Sequence, residues 1–404
     1  MLTKRLESAA FIALCGIVVF IPIAMSPFQI CHAFFLIASL ILFFSSNRKS
    51  EFAQPFFILI GLYLFCNALS LTQTQFMRPS IQGMTKVLRQ ILLCLAVYLA
   101  LDTEKKFYRL FDCFLVVATI VGLDALLQRV TGIEVFRGRS MTPFVTQVGR
   151  LTGPFSHANN FSAYLSLVIF LFLGAACGFF GHVSKKKYAW IWFGLVLNAF
   201  CLWGTFSRGA WVAVAIAVFL FAIMIRNRAL NVFLALFLVW AVFFTPPLVK
   251  LRMHSLWEKN GGSVNERMES SRESFRMIRQ SPWLGLGINT YAKNEPLNKG
   301  TGFKIDNQYA HNGYLQMASE IGLTGLFSFL AIFIYFFWAI FIVFQKMPDR
   351  RLQFSLSALF FGVLSFLIHS ATDTDLHSVL LINMLWLVLG MAWAGRRLAL
   401  LKKA

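Results

Sequence analysis

The chain has 404 residues, of which 58% are hydrophobic and only 13% are charged, and its mean hydropathy is +0.68. This composition excludes a soluble globular domain and predicts a protein whose solvent is lipid. Because lipid cannot hydrogen-bond backbone amides, spanning segments must be helices or closed barrels, and the long apolar runs lack the period-two alternation of barrel strands. We therefore expect an all-α polytopic membrane protein.

Apolar stretches long enough to cross a hydrocarbon core of about 30 Å recur along the chain. We expect the first to be retained as a helix, because no small-x-small cleavage site follows Lys4 and Arg5. The seven cysteines lie in or at the edges of apolar runs and imply no disulfide or metal framework. The pattern predicts about twelve spans, near residues 9–26, 31–45, 53–71, 82–101, 107–127, 159–181, 188–204, 209–225, 229–249, 313–344, 353–371 and 379–395.

Basic clusters occur in alternate short loops and at both termini. By the positive-inside rule these loops and both termini are cytoplasmic, so much of the net charge of +20 indicates topology rather than nucleic-acid binding. The clusters are Lys4 and Arg5, Arg48 and Lys49, Lys105 and Lys106, Lys185 to Lys187, Arg226 and Arg228, Arg350 and Arg351, and Arg396 to Lys403. Other cations lie on the outside, where the rule predicts few: Arg78, Lys86, Arg89, Arg129, Arg137, Arg139, Arg150, Arg208 and a group from Lys250 to Lys304.

Two outer segments are long, residues 128–158 and residues 250–312 between the ninth and tenth spans. Long segments of this kind often carry function. We expect one membrane domain over residues 1–404, in which 128–158 is a first outer loop and 250–312 is a large outer loop that carries functional residues. Ser263-Val-Asn-Glu266 is typical of a capping box and Pro282 ends a helix, so a helical insert is predicted over 264–280.

The predicted insert helix is amphipathic. Arg272, Arg276 and Arg279 fall on one face, which we expect to be solvated. The opposite face is expected to contain Val264, Met268, Ser271, Phe275 and Ile278. Arg267 projects with that apolar face, where a guanidinium is costly unless it meets an anion, so we expect it to bind a ligand; a structural ion pair is the alternative. For Gly285-Leu-Gly287 we expect a close turn against the membrane domain, with phosphate contact as the alternative.

Two polar motifs precede the sixth and eighth spans. Thr205-Phe-Ser207-Arg208-Gly209 occupies a tight outer turn, where Arg208 either snorkels to the interface or forms a guanidinium fork for a diphosphate. Arg150 to Asn160 occupies the corresponding outer entry to the sixth span. Within it, His157 and Asn159 either cap the helix or contribute to a site.

A third motif, His311-Asn312-Gly-Tyr314, opens the tenth span from the outside. At helical spacing His311 points inward at the membrane mouth while Glu320 points away. Its unperturbed pKa near neutrality and the arginines around it make His311 a candidate general base. Five other histidines do not have several outer arginines around them, and we interpret them as structural: His32, His182, His254, His369 and His377.

Four segments in this order, 150–160, 205–211, 267–289 and 311–325, resemble the O-antigen ligase and polymerase superfamily. The resemblance covers about a third of the chain. It implies a GT-C type membrane glycosyltransferase in lipopolysaccharide biosynthesis, which takes a glycan from undecaprenyl diphosphate and transfers it to a sugar hydroxyl of the lipid A core. It also implies reaction at the periplasmic face of the bacterial inner membrane, inversion at the anomeric carbon, and no cofactor or metal.

Carried over by position, the resemblance implies that Arg208 and Arg267 hold the donor diphosphate and that His311 activates the acceptor hydroxyl or assists the leaving group. Residues that support the site are expected to be Arg150, His157, Asn159, Ser207, Asn312 and Tyr314. Outer cations that could guide an anionic lipid or the phosphorylated inner core toward the site are Arg78, Lys86, Arg89, Arg137 and Arg139. Asp373 and Asp375, near the last outer loop, keep metal binding open as an alternative.

Three other functions remain open at this stage. An O-antigen polymerase would use the same donor with a second lipid-linked glycan as acceptor, and a protein O-oligosaccharyltransferase is a further branch of the superfamily. A lipid-linked glycan transporter belongs to another class. It predicts an inverted repeat, broken helices and ionisable groups near mid-membrane.

Overall fold

The computed structural model describes residues 2–45, 51–141, 149–225, 262–298, 309–347 and 349–402. Within these ranges the chain is helical, as long apolar segments in lipid must be to satisfy their own backbone groups. The helices are α1 (Leu2–Ile23), α2 (Met25–Phe44), α3 (Pro55–Ser70), α4 (Met77–Ala100), α5 (Glu104–Thr131), α6 (Ala158–Gly178), α7 (Lys185–Gly204), α8 (Arg208–Met224), α9 (Gly262–Gln280), α10 (Tyr291–Asn298), α11 (Gly313–Gln345), α12 (Arg350–Ser370) and α13 (Val379–Leu401), with a 3-10 helix at Asp375–His377.

Most of the helices are long and apolar enough to cross a membrane. Eight of those described qualify by length and composition, and the apolar helices α3 and α8 are shorter. Helix α7 begins with three lysines and also coincides with a predicted span. Eleven of the twelve predicted spans therefore coincide with helices, and the remaining one, 229–249, lies outside the described residues. The chain is an all-α polytopic membrane protein.

The centre of the bundle is formed by α6, α12 and α13. Within the most apolar window of α6, 89% of residues are buried, against 28% for α2, so α2 lies at the periphery. Glycine allows α6 to approach α12 closely: a methyl group on Gly174 would lie 2.5 Å from the main-chain oxygen of Phe354. Small residues at such contacts are the usual means of close packing between helices in lipid.

Helix α11 is interrupted at Gly322, which has φ 70° and ψ 179°. The segment after α9 fills the break with its own main chain. The N–H groups of Leu286 and Gly287 donate to the oxygens of Ser319 and Glu320 at 3.0 and 2.9 Å, and the N–H of Leu323 donates to Pro282 at 2.8 Å. The sequence predicted one uninterrupted span here, but it correctly predicted that the Gly285-Leu-Gly287 segment packs closely against the membrane domain.

Helix α9 confirms the predicted insert, and its arginine face is exposed as predicted at Arg272, Arg276 and Arg279. The predicted apolar face was wrong: Met268 and Phe275 are 50% and 53% exposed. The buried positions are instead Ser270, Glu273, Ser274 and Met277. The reason is a polar contact with the neighbouring segments, because the hydroxyls of Ser274 and Tyr291 lie 3.1 Å apart. The side chain of Val264 lies outside the described residues.

One end of the bundle pairs its cations with carboxylates. Lys187 lies 2.7 Å from Asp112, Arg397 lies 2.8 Å from Glu51, and Lys402 lies 2.6 Å from Asp349. Lys106 pairs with Asp102 one helical turn away, at 2.9 Å. We call this end of the bundle the paired end, after these ion pairs.

Candidate functional site

The end of the bundle opposite the paired end contains a cavity of about 670 Å³. Its wall is drawn from the segment between α5 and α6, the first turn of α6, the residues before α11, and the segment between α12 and α13. These segments are more than 200 residues apart in the chain at their extremes, and helix packing brings them together. Charged and polar lining residues are Arg137, Arg139, Arg150, His157, Asn159, His311, Asp373 and His377.

Arg150 begins a chain of hydrogen bonds across this end of the molecule. Its Nε donates to the main-chain oxygen of Thr205 at 2.7 Å, and its Nη2 donates to Oδ1 of Asn159 at 2.6 Å. The amide of Asn159 then donates to Asp373 Oδ2. The predicted supporting residues Arg150 and Asn159 are therefore brought together, and they reach the motif that contains Arg208.

Arg267 joins the same network from α9. Its Nη2 lies 3.7 Å from Asp373 Oδ2, and its Nη1 donates to the main-chain oxygen of Thr372. The Arg267 side chain is 41% exposed, whereas that of Asp373 is 9% exposed. The structure thus contains the ion pair that the sequence left open as an alternative. A partly exposed guanidinium held over a buried carboxylate still has donors directed toward solvent.

Arg208 is the first residue of α8 and is half-buried, but it is not among the residues that line the cavity. The turn that carries it packs against the last segment of the site. A methyl group on Gly209 would lie 2.1 Å from the hydroxyl of Thr372, the residue whose main-chain oxygen accepts from Arg267. Arg267 and the turn that carries Arg208 therefore meet at the same threonine.

Beneath this turn lies a buried histidine and carboxylate pair. His369 Nδ1 is 2.6 Å from Asp375 Oδ2, and its Nε2 is 3.4 Å from the hydroxyl of Ser207. Burial raises the pKa of the Asp375 carboxyl, against the opposing effect of His369. The sequence analysis interpreted His369 as structural and did not predict its contact with Asp375. Ser207, predicted to support the site, contacts this pair and does not line the cavity.

His311 lies in the cavity wall just before α11, not within the helix. Asn312 caps α11 by accepting the N–H groups of Tyr314 and Leu315, both at 3.0 Å, so the helix begins only at Gly313. His311 has φ 52°, a left-handed conformation that is uncommon for a non-glycine residue. It is held between this cap and Ala310, whose N–H donates to Gln316 at 3.3 Å. The hydroxyl of Tyr314 donates to Leu367 at 2.7 Å.

Sequence reasoning missed His377 as a lining residue. His377 contacts the wall and lies 3.7 Å from Glu320. Glu320 is buried and accepts the N–H groups of Asn289 and Tyr291 at 2.9 and 3.1 Å. The sequence signal that could have indicated His377 is the group of two aspartates and one histidine in the stretch 373–377, between two spans. In the described ranges, no three His, Cys, Asp or Glu side chains are grouped as a metal site.

Residues 193–330 match the family model described as O-antigen ligase. This third of the chain is therefore similar to the O-antigen ligase family. The matched region extends from α7 into α11 and contains Arg208, Arg267 and His311. Other residues of the candidate site, including Arg150 and Asp373, are supplied by segments outside the match. A search of curated proteins finds no match to the chain.

Proposed function

We propose that the protein is an O-antigen ligase that transfers a glycan from undecaprenyl diphosphate to a sugar hydroxyl of the lipid A core. The observation that supports this most strongly is the cavity in which His311 and Arg150 share one wall with Asp373, to which Arg267 is paired. A single cavity thus combines a candidate proton acceptor with fixed positive charge. These are the two components that transfer from a diphosphate needs.

Arg208 and Arg267 are proposed to bind the diphosphate. As the glycosidic bond breaks, negative charge develops on this leaving group, and guanidinium groups already in place stabilise it. Arginine suits the role because it stays protonated and can donate two parallel hydrogen bonds to phosphate oxygens. On entry, the diphosphate would compete with Asp373 for Arg267, which is 3.7 Å from that carboxylate.

His311 is proposed to accept the proton of the acceptor hydroxyl as the oxygen attacks the anomeric carbon. A single displacement of this kind inverts the anomeric configuration. Arg150 and Asn159 are proposed to hold Asp373 in place, and His157 to contact substrate at the cavity wall. Asn312 and Tyr314 are proposed to act indirectly, because one caps α11 and the other ties it to α12.

We further propose that the cavity faces the periplasm and that both termini are cytoplasmic, in a bacterial inner membrane. The basic clusters at the paired end support this orientation. In this arrangement residues 1–404 are one membrane domain, and the outer loops 128–158 and 250–312 both contribute to the site. No metal or cofactor is assigned a role.

The transporter alternative predicts broken helices, and α11 is interrupted. However, the main chain freed at Gly322 is hydrogen-bonded by the segment 282–287 and does not line the cavity. This interruption serves packing, so it does not favour alternating access.

The proposal is tested by reconstituting the purified protein in nanodiscs with an undecaprenyl-diphosphate-linked glycan and lipid A core, in the presence of EDTA. The expected product is lipid A core that carries the glycan with inverted anomeric configuration. Lengthened donor chains without modified core would replace the ligase proposal with a polymerase. Movement of unmodified donor between the leaflets of sealed vesicles, without either product, would indicate a transporter.

A further inference from the structure

Two arginines of the cavity wall, Arg137 and Arg139, lie in one turn and have no part in the transfer step proposed above. The carboxylate of Glu134 organises this turn by accepting the N–H groups of Phe136, Arg137 and Arg139 at 2.8, 2.8 and 3.0 Å. Gly138 between the two arginines has φ 66°, a conformation that glycine adopts without strain. Glu134 is 1% exposed, and its carboxylate oxygens accept these three main-chain N–H groups.

Helix α5 supports the turn through two more buried side chains. Asp124 accepts the N–H of Val135 at 2.8 Å. Gln128 donates to the main-chain oxygen of Arg139 at 3.2 Å and accepts the N–H of Thr152 at 3.1 Å. Both acids near the turn, Glu134 and Asp124, thus bind main-chain amides. These hydrogen bonds fix the main chain of the turn. They do not involve the two guanidinium groups, which can therefore bind another group.

Among the described residues, the two guanidinium groups have few hydrogen-bond partners. Arg137 Nε donates to the main-chain oxygen of Ile23, while its buried Nη2 has no hydrogen-bond partner among the described residues. Arg139 makes a long contact of 3.5 Å to the oxygen of Pro154. Burial and the charge of Arg139 lower the pKa of Arg137. A buried, unpaired guanidinium nitrogen beside a second cation is costly unless an anion joins it.

Cations at the paired end have carboxylate or aromatic partners, and Arg351 and Arg396 there lie 3.7 and 4.6 Å from the centres of aromatic rings. At the paired end each of four cations meets a carboxylate within 2.9 Å. Asp373 is the only carboxylate among the described lining residues, and it is already shared by Asn159 and Arg267. Arg137 and Arg139 therefore give the cavity wall positive charge that is separate from Arg208 and Arg267, to which the donor diphosphate is assigned.

We propose that Arg137 and Arg139 form a second anion subsite, which binds a phosphate group on the acceptor saccharide. This inference rests on the proposed function and specifies its substrate class: the acceptor is a phosphate-bearing saccharide, and this phosphate is distinct from the donor diphosphate. The proposal also distinguishes two groups of outer cations by their position relative to the cavity. Arg137 and Arg139 line the cavity, whereas Arg78, Lys86 and Arg89 lie on α4 outside its wall.

The test compares the phosphorylated lipid A core with the same acceptor after removal of its phosphates, for the wild type and an Arg137→Gln/Arg139→Gln variant. With the phosphorylated acceptor, we expect the variant to raise the acceptor KM by at least about tenfold, since hydrogen bonds to charged groups are lost. Its kcat and donor KM should stay within about twofold of wild type, because these arginines are assigned to the acceptor and not to the donor or to proton transfer. With the dephosphorylated acceptor, variant and wild type should have the same acceptor KM.

Arg272→Gln/Arg279→Gln is the matched control, because it removes two exposed arginines from α9, outside the cavity. It should leave both KM values unchanged. Arg137→Lys/Arg139→Lys retains the charge without the planar fork, so its acceptor KM should lie between those of the wild type and the glutamine variant. If thermal unfolding indicates that the glutamine variant is misfolded, the acceptor KM of the lysine variant tests the proposal in its place.

Equilibrium binding of the acceptor in the absence of donor separates this inference from the proposed function. If the wild type transfers nothing, yet binds the phosphorylated lipid A core more tightly than the dephosphorylated one through Arg137 and Arg139, the proposed function fails and the subsite stands. Equal binding of the two acceptors by the wild type would overturn the subsite. A rise in the donor KM instead of the acceptor KM would also overturn it, by assigning these arginines to the diphosphate.

Discussion

Arg267 illustrates how one side chain can be anchored and still be available to a ligand. Its contacts to Thr372 and Asp373 fix the guanidinium at the edge of the site, and 41% of the side chain remains exposed. Asp373 therefore has two effects in the proposed mechanism: it positions Arg267 and must release it when the diphosphate enters. The guanidinium is partly exposed and lies 3.7 Å from the carboxylate, so the ion pair is weak, and Asp373 keeps the hydrogen bond from Asn159 when Arg267 binds a phosphate.

We predict that Arg267→Lys lowers kcat/KM for transfer by on the order of 100-fold, although the charge is retained. A lysine supplies a point charge and cannot donate two parallel hydrogen bonds to the diphosphate while also contacting Thr372. The measurement is steady-state transfer with the donor varied. Arg279→Lys on the same helix is the control and should behave as wild type, because Arg279 lies on the exposed face. Wild-type kinetics for Arg267→Lys would remove this residue from the diphosphate site.

At the scale of elements, the docking of segment 282–287 into the break of α11 determines where the outer insert sits. Gly285 and Gly322 face each other so closely that neither tolerates a side chain. A methyl group on Gly322 would lie 2.1 Å from the oxygen of Trp283, and one on Gly285 would lie 2.4 Å from the oxygen of Glu320. Glu320 also accepts the N–H groups of Asn289 and Tyr291 at the start of α10. The break therefore connects the insert to the helix that begins just after His311.

We predict that Gly322→Ala destabilises the protein by at least about 2 kcal/mol, because it combines a steric clash with a positive φ. Gly61→Ala is the control. No atom lies within 4 Å of a methyl group at this α3 position, and alanine should stabilise the helix by up to about 1 kcal/mol. Thermal unfolding in detergent measures both. Equal midpoints for the two variants would mean that the loop and the break are not tightly coupled.

The sequence predicted the helices better than their interruptions and faces. Apolar length and the capping box of α9 were sufficient to locate the elements, because these signals are local. The break at Gly322 depends on a segment 35 or more residues earlier in the chain entering α11, which no local pattern encodes. The buried face of α9 was mispredicted for a similar reason: Ser270, Ser274 and Glu273 are buried against polar neighbours, and a rule based on apolar periodicity misses such a face.

At the scale of the whole molecule, the site is assembled from segments at both ends of the sequence. Arg150, His157, Asn159 and His311 were predicted because each lies in a polar motif at the start of a span, and the cavity brings them together. Asp373 was considered only as a metal ligand, because its role depends on contacts with Asn159 and Arg267 that are remote in sequence. The assigned roles of these residues remain proposals.

The proposed orientation makes a prediction about accessibility. Arg279→Cys should react with a membrane-impermeant maleimide in cells whose outer membrane alone has been permeabilised, whereas Lys105→Cys should react only after the inner membrane is opened. Both positions are exposed, and the native cysteines, each buried or half-buried, provide the unlabelled background in the wild type. Labelling of Lys105→Cys before the inner membrane is opened would reverse the topology and place the cavity in the cytoplasm.

The most direct test of the central claim, that this cavity transfers the glycan, is the single-turnover rate of His311→Ala with saturating donor and lipid A core in EDTA. If His311 accepts the acceptor proton, the rate should fall by roughly 10² to 10⁴-fold, as expected for loss of a general base. The donor should still bind, because the arginines are intact. A correctly folded His311→Ala protein that transfers glycan at the wild-type rate would contradict the account.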